Sequence, residues 1–259
     1  MKNALTALLL LFAWAQLCLA ETAQRVVDLP TRPGVTQRFL LLTPPDAKAA
    51  VILFAGGHGA LNIDDRGGFG WGGGNFLVRT REQFAQQGLV VAVIDKPSDV
   101  PNLNQRRQTP EHVEDVRAVM AWLRAQTKLP VWLIGTSRGT QSAAWVATAL
   151  ADAPDRPDGL VLTATILSDK RERAVPEMAL EHLNIPVLVV HHENDGCVHC
   201  RYGDIPQLMD KLINAPRKAL FAVQGGISRG DPCDAWAYHG FNGVEKDVVE
   251  RITGWILAN

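Results

Sequence analysis

Residues 131–140 read VWLIGTSRGT. The first four residues of this stretch are apolar, which is typical of a strand covered on both faces of a parallel sheet. The pattern G-x-S-x-G follows at residues 135–139, directly before a segment with helical spacing. A serine on such a strand-to-helix turn has a strained backbone, and the flanking glycines prevent clashes with neighbouring segments. The stretch therefore predicts that the Ser137 hydroxyl projects above the sheet, beside a helix N-terminus that favours negative charge.

Apolar runs and helical patterns alternate outward from this turn along the whole chain. The predicted strands cover residues 39–42, 51–55, 89–94, 131–134, 160–164, 187–191 and 219–223, and the predicted helices cover residues 76–87, 110–127, 140–151 and 244–257. Thr109 and Pro110 are of the types that favour an N-cap and a first helical position. Such alternation predicts an α/β fold, with a doubly wound, mostly parallel sheet between helices and chemistry at the carboxyl ends of the strands.

The composition is that of a folded globular protein, with 47% hydrophobic and 20% charged residues in 259. Folding of a chain this long buries about three quarters of its unfolded surface, so a core forms without metals or disulfides. The formal net charge of −1 gives no electrostatic attraction to nucleic acid or to an anionic membrane. We therefore expect neither as a partner, and we expect a monomer.

The first 20 residues have the organisation of a secretory signal, with Lys2, an apolar segment and small residues before Glu21. We expect residues 1–20 to be a signal peptide and residues 21–259 to form a single domain. The mature protein would be periplasmic or secreted, with no membrane attachment. An uncleaved membrane anchor is the alternative.

Three cysteines remain after that cleavage: Cys197, Cys200 and Cys233. In an oxidising compartment, one disulfide and one free thiol are expected. The bridge joins Cys233 to either Cys197 or Cys200, and we take Cys197 as the working assignment. The pattern C-x-x-C beside His199 is also compatible with zinc, but no second Cys/His pair stands at zinc-finger spacing. We therefore predict no metal site.

A serine hydroxyl needs a base to become a nucleophile, and the chain supplies an acid and a histidine after Ser137. Asp195 lies in the turn after the predicted strand at residues 187–191, and His239 lies in the loop before the last helix. Serine, acid and histidine in this order are characteristic of the α/β-hydrolases, and the mature chain resembles that superfamily over its whole length. Its size is similar to that of the dienelactone hydrolases, which use cysteine where this chain has serine.

The resemblance implies a serine hydrolase that cleaves a carboxylic ester through an acyl-enzyme, without a cofactor. Ser137 would attack the carbonyl carbon, His239 would transfer the proton, and Asp195 would orient the histidine. Glu193 and Asp169 are the alternative acids. A minimal lid, expected from the short connection before the strand of Asp195, favours a small molecule or a polymer end as the ester substrate.

The resemblance also implies an oxyanion hole made of two backbone N–H groups. One belongs to Arg138, directly after the nucleophile, and the other belongs to the glycine-rich loop after an earlier strand. We expect Gly57 to supply the second donor, with His58 as the alternative. His58, Trp71 and Trp236 are expected to line the substrate pocket.

One further motif has an alternative interpretation. Residues 68–73 satisfy G-x-G-x-x-G, and Asp95 ends a later strand, as in a dinucleotide site. That motif should follow its strand at once, but the preceding strand ends at Ala55, so we predict no dinucleotide. The pair Arg106 and Arg107 is interpreted as a solvated loop.

Two alternative functions remain. They are amide or peptide hydrolysis on the same triad, and a non-catalytic binding role of a protein with the same fold.

Overall fold

Apolar runs of the sequence form the centre of one large sheet. The computed structural model describes residues 22–258, so the predicted signal peptide of residues 1–20 lies outside the described residues. The eight strands of the described part are β1 (Ala23–Arg32), β2 (Val35–Thr43), β3 (Ala49–Phe54), β4 (Leu89–Pro97), β5 (Val131–Thr136), β6 (Gly159–Thr163), β7 (Val187–His192) and β8 (Lys218–Val223). Its six α-helices are α1 (Phe76–Arg79), α2 (Arg81–Gln86), α3 (Pro110–Thr127), α4 (Arg138–Ala149), α5 (Ile205–Lys211) and α6 (Glu245–Leu257). Between residues 22 and 258, no helix is both long and apolar enough to cross a membrane.

The strands lie in the order β1-β2-β4-β3-β5-β6-β7-β8. All five adjacent pairs from β4 to β8 in this order are parallel, whereas β2 pairs antiparallel with both β1 and β4. Every residue of β3, β5, β6 and β7 is buried. One face of the sheet packs on α3, α4 and α5, and the other packs on α1, α2 and α6. The predicted doubly wound, mostly parallel α/β sheet is therefore confirmed.

Several elements differ from the sequence-based expectation. The strand β1 was not expected, because half of its sequence AQRVVDLPTR is polar and it contains a proline. It lies at the edge of the sheet, where one side needs no partner strand and proline is tolerated. The predicted helix at residues 76–87 is interrupted at Thr80, which caps both α1 and α2. In contrast, α3 has the predicted bounds, and the Thr109 hydroxyl accepts the N–H of His112 at 3.3 Å.

Asp95, at the end of β4, holds the glycine-rich loop in place. Its two carboxylate oxygens accept the N–H groups of Leu61 and Ile63, each at 2.8 Å. Further along the loop, Ile63 and Phe69 form an isolated antiparallel β-bridge. Asp95 has the position that a ribose-binding acid has in a dinucleotide site. In this structure, its carboxylate instead accepts hydrogen bonds from the backbone of the loop.

His112 is buried in α3 with its ring against Phe54, at 6.2 Å between ring centroids. Among the described residues, neither of its ring nitrogens has a hydrogen-bond partner. Burial penalises the charged imidazolium and lowers the pKa of His112 to about 3.

Acid should therefore destabilise the protein through His112. Below pH ~6.5 the unfolded chain binds a proton at this residue, and the folded chain does not bind it until the pH approaches its own pKa. The free energy of unfolding should fall by about 1.4 kcal/mol per pH unit over that window from this group alone. Urea unfolding at pH 7 and at pH 5 measures the effect.

The variant His112→Phe keeps an aromatic ring at this position and removes the titrating group. Between those two pH values, its free energy of unfolding should fall by about 2 kcal/mol less than that of the wild type. Other buried histidines contribute equally to both proteins and cancel in the difference. An identical pH dependence in the two proteins would contradict this account of His112.

Candidate active site

Ser137 lies on the turn between β5 and α4, with φ +52° and ψ −127°. This is a region that residues with a Cβ rarely adopt. The Ser137 N–H donates to the Thr163 carbonyl at 3.1 Å. A Cβ at Gly135 would collide with the backbone of Gly139, and a Cβ at Gly139 would collide with the Phe54 carbonyl oxygen on β3. Both glycines of the motif are therefore required by the close approach of three backbone segments.

Asp195 and His239 are joined by a hydrogen bond between loops that are distant in sequence. The His239 Nδ1 lies 2.8 Å from the Asp195 Oδ2, and the Asp195 Oδ1 accepts the Cys197 N–H at 2.9 Å. Both side chains are buried. Asp195 fixes the proton of the neutral imidazole on Nδ1, so the lone pair is on Nε2. Among the described residues, that Nε2 has no hydrogen-bond partner and is free to accept a proton.

Ser137 and His239 line the same cavity, which has a volume of about 280 Å³ and lies at the carboxyl ends of β3 and β5. Its lining comes from four parts of the chain: Gly56 and Gly57; Trp71, Gly72, Gly74, Asn75 and Phe76; Thr136 and Ser137; and Cys233, Asp234, Ala235, His239 and Gly240. Asp195 contacts this cavity only through His239. The structure thus brings together, at the predicted edge of the sheet, the three residues that the sequence order singled out.

The alternative acids are engaged elsewhere. The carboxylate of Glu193 accepts a hydrogen bond from the Gln224 side chain at 2.7 Å. The carboxylate of Asp169 pairs with the Arg138 guanidinium at 2.8 Å. Asp195 is therefore the carboxylate that contacts His239.

A second histidine supports Asp195 from behind. His191 donates its Nε2 proton to the Cys200 carbonyl at 2.7 Å, and its Nε2 lies 3.5 Å from the Asp195 Oδ2. Its Nδ1 faces the Thr165 N–H at 3.4 Å. Burial lowers the pKa of His191, so it stays neutral at physiological pH. His191 therefore brings no positive charge to Asp195.

The candidate oxyanion loop is tightly packed. Gly57 has φ +58°, and a Cβ there would collide with the Trp71 indole, so only glycine suits the position. The His58 ring stacks on Trp71 with 3.7 Å between ring centroids, and its Nδ1 accepts the Ala60 N–H at 3.1 Å. Arg138 is the first residue of α4, where backbone N–H groups have no partner within the helix.

The expected pocket residues occupy different places. Trp71 lines the cavity itself, whereas His58 lies against the Trp71 ring. Trp236 is 51% exposed at the rim, 3.3 Å from where a Cβ of Gly74 would lie. The Arg79 guanidinium covers the Trp236 ring at 4.8 Å from the ring centroid.

Two arginines support the cavity and were not identified from the sequence. Arg79 donates to the carbonyls of Gly74 and Gly240, each at 2.6 Å, and so joins two segments of the cavity wall. The interpretation of Arg107 as a solvated residue was wrong, because its side chain is fully buried beneath the loop of Gly57. Neither arginine belongs to a motif, and an isolated arginine in a loop does not indicate burial.

The predicted bridge between Cys197 and Cys233 is present. It joins the loop of Asp195 to the loop that precedes His239. Cys200 is a buried free thiol, and burial raises its pKa well above the usual range. One ring nitrogen of His239 and the sulfur atoms of Cys197 and Cys200 lie within 4.8 Å of one another. Because Cys197 is oxidised in the bridge, this group lacks the thiolates that zinc requires.

Several solved structures have a similar fold. A dienelactone hydrolase from Anabaena variabilis is 18% identical, with a TM-score of 0.63 over 92% of this chain and 98% of that one. A carboxyl esterase from the fungus Tuber melanosporum is 17% identical, with a TM-score of 0.65 over 92% and 87%. A lidless α/β serine hydrolase from Xanthomonas campestris is 17% identical, with a TM-score of 0.54 over 90% and 95%. No protein-family model and no curated protein matches the chain.

Loss of the disulfide should destabilise the protein, because the bridge closes a loop across a sequence separation of 36 residues. The chain-entropy model gives a stabilisation of about 4 kcal/mol for a loop of this length. Thermal unfolding with and without a reductant measures the effect in the wild type. Cys233→Ser should unfold at the lower temperature in both conditions.

Cys200→Ala is the matched control for that experiment, since it removes the thiol that lies outside the bridge. This variant should keep the full response to the reductant. A response lost in Cys200→Ala and kept in Cys233→Ser would show that a different pair forms the bridge.

Proposed function

The chain has the α/β-hydrolase fold, and from this premise we propose that it is a serine hydrolase that cleaves carboxylic esters through an acyl-enzyme. One observation carries the proposal. Within the part of the chain that the structure describes, the His239 Nε2 of the buried Asp195–His239 pair has no hydrogen-bond partner, and His239 lines the same cavity as a serine on a strained turn. A base, an orienting acid and a hydroxyl that lines the cavity are the parts that acyl transfer requires.

The proposed reaction begins when the Ser137 Oγ attacks the substrate carbonyl and the His239 Nε2 takes its proton. Asp195 then stabilises the imidazolium through Nδ1. The negative oxygen of the tetrahedral intermediate accepts hydrogen bonds from the backbone N–H groups of Arg138 and of Gly57. His239 returns the proton to the departing alkoxide, and a water molecule, activated by the same nitrogen, hydrolyses the acyl-enzyme.

Two further observations support this proposal. The structurally similar proteins are described as a dienelactone hydrolase, a carboxyl esterase and a serine hydrolase without a lid, although at 17–18% identity they share only the fold with this chain. The signal-like residues 1–20 and the Cys197–Cys233 bridge support export to an oxidising compartment such as the periplasm.

Removal of the nucleophile should abolish activity. Ser137→Ala should lower kcat/KM for a short-chain nitrophenyl ester by about 10⁴–10⁶. Asp195→Asn should lower it by about 10⁴, because the imidazole loses the partner that fixes its tautomer. A fluorophosphonate probe, mapped by mass spectrometry, should label Ser137 in the wild type.

Glu193→Gln is the matched control, because it neutralises a carboxylate two residues from Asp195 that is bonded to Gln224. It should keep activity within a few-fold of the wild type. If Glu193→Gln is as damaging as Asp195→Asn, the assigned acid is wrong. Turnover of a nitroanilide but of no ester would assign the same triad to amide hydrolysis, and absence of both turnover and labelling would assign the chain to a binding role.

The orientation of an ester in the cavity follows from the position of His239. Because this histidine protonates the leaving oxygen, the alcohol part of the ester lies at the His239 end of the cavity. The acyl chain then points away from His239, and we propose that it lies against the Trp71 indole, which lines the same cavity. We assign Trp71 as the residue that limits the length of the acyl chain.

Truncation of Trp71 should therefore change the preference for acyl length. In Trp71→Ala, the ratio of kcat/KM for an octanoyl ester to that for an acetyl ester should rise by about tenfold, within the range for added methylenes in an apolar pocket. Trp236→Ala removes an indole outside the cavity and should leave this ratio within twofold. A ratio unchanged in Trp71→Ala would refute the assignment of the acyl end.

A further inference from the structure

Arg107 is 1% exposed and has the largest fully buried side chain of the described residues. It lies in the connection between β4 and α3, beneath the loop that follows β3. A buried guanidinium is normally compensated by a carboxylate, because removal of an unpaired charge from water is costly. Within residues 22–258, no carboxylate forms an ion pair with Arg107, and Glu172, whose charge acts on Arg107, pairs with Arg138.

The hydrogen bonds of Arg107 go to neutral groups. One terminal nitrogen, Nη2, donates to the carbonyl oxygens of Ala55 and Gly57, each at 3.1 Å. The other, Nη1, donates to the Ser142 hydroxyl at 2.8 Å. A charged donor strengthens such bonds, and the low dielectric of the interior strengthens them further.

The positions of these partners connect two elements of the site. Ala55 and Gly57 belong to the candidate oxyanion loop, and Ser142 belongs to α4, whose first residue, Arg138, has the other candidate donor. A single rigid guanidinium therefore spans the two halves of the oxyanion hole. It also fixes the planes of the peptides 55–56 and 57–58, because their carbonyl oxygens are its acceptors. These two peptides flank the one that carries the Gly57 N–H.

The charge of Arg107 persists at neutral pH. Burial lowers the pKa of Arg107 to about 10, and the carboxylate of Glu172 opposes that lowering. The base of the oxyanion loop thus contains a positive charge, in a position that favours a negative oxygen above the loop.

We propose that Arg107 is a positioning residue for the oxyanion hole, which holds the loop of Gly57 at a fixed distance from α4 before a substrate binds. This inference rests on the proposed ester hydrolysis. Positioning by Arg107 stabilises the tetrahedral intermediate more than the bound substrate. The reason is that the hydrogen bonds from the loop donors are strongest when the substrate oxygen is negative. Substrate binding itself is little affected.

The test compares Arg107→Lys with Arg124→Lys. A lysine keeps the charge of Arg107 but cannot bond Ala55, Gly57 and Ser142 with one rigid fork. Arg124 is the matched control, because its guanidinium also donates to two backbone carbonyls, those of Asp155 at 2.8 Å and Arg156 at 2.6 Å. It lies at the opposite edge of the sheet, where β6 begins.

Three quantities are measured for each protein: kcat and KM for a short-chain nitrophenyl ester, and the inhibition constant of a trifluoromethyl ketone. The concentration of active sites is determined with a fluorophosphonate, so that a loss of folded protein does not count as a loss of rate. The ketone forms a hemiketal with the serine and places a negative oxygen in the oxyanion hole. A purely structural role would alter the active fraction and not this inhibition constant.

For Arg107→Lys we expect kcat per active site to fall by about 10–100-fold, which is less than the loss of a whole donor. KM should stay within threefold, and the inhibition constant should rise by the same factor as kcat falls. Arg124→Lys should match the wild type. An Arg107→Lys protein within threefold of the wild type, or one with reduced kcat and unchanged inhibition, would overturn the inference.

Ser142→Ala provides a second, milder variant if Arg107→Lys does not fold. It removes the anchor on α4 and should weaken kcat and ketone inhibition in parallel, by about threefold or more; unchanged inhibition would overturn the inference. The two proposals fail differently. A wild type without ester turnover or labelling overturns both, whereas an active wild type with unaffected variants overturns only the role of Arg107.

Discussion

The close approach of three backbone segments around Ser137 is the constraint on which the rest of the structure depends. Gly139 touches the Phe54 carbonyl at the end of β3, and Gly135 touches Gly139. This packing holds Ser137 at φ +52°. Such a conformation costs about 1–3 kcal/mol and persists only where the surrounding structure holds it. The surroundings here are fully buried parallel strands, so the packing at the centre of the sheet compensates the strain.

The architecture was accessible from the sequence because it depends on patterns that repeat locally. Runs of buried apolar residues predicted the central strands, and Thr109 with Pro110 marked the start of α3. The order of Ser137, Asp195 and His239 indicated which loops meet, since the carboxyl ends of parallel strands share one edge of the sheet. The edge strand β1 escaped this reasoning, because a strand with one solvated side needs no continuous apolar run.

The residues that support the site were not accessible, for a different physical reason. Asp95 and Arg107 are charged residues next to loops, and composition alone assigns such residues to solvent. Their burial is determined by backbone groups that arrive from elsewhere in the chain: the amides of residues 61 and 63 for Asp95, and the carbonyls of residues 55 and 57 for Arg107. The periodicity of hydrophobic residues does not show which backbone N–H and C=O groups lack a backbone partner. It therefore does not show which charged side chains are buried against such groups.

The Cys197–Cys233 bridge links the catalytic geometry proposed here to redox conditions. It gives the loop of the acid and the loop of the base a common covalent support, and only an oxidant can form it. In a reducing cytoplasm, the same two loops would be held to each other by noncovalent contacts alone. Full rigidity of the pair of loops that hold Asp195 and His239 therefore requires oxidising conditions, because it depends on a single pair of sulfur atoms.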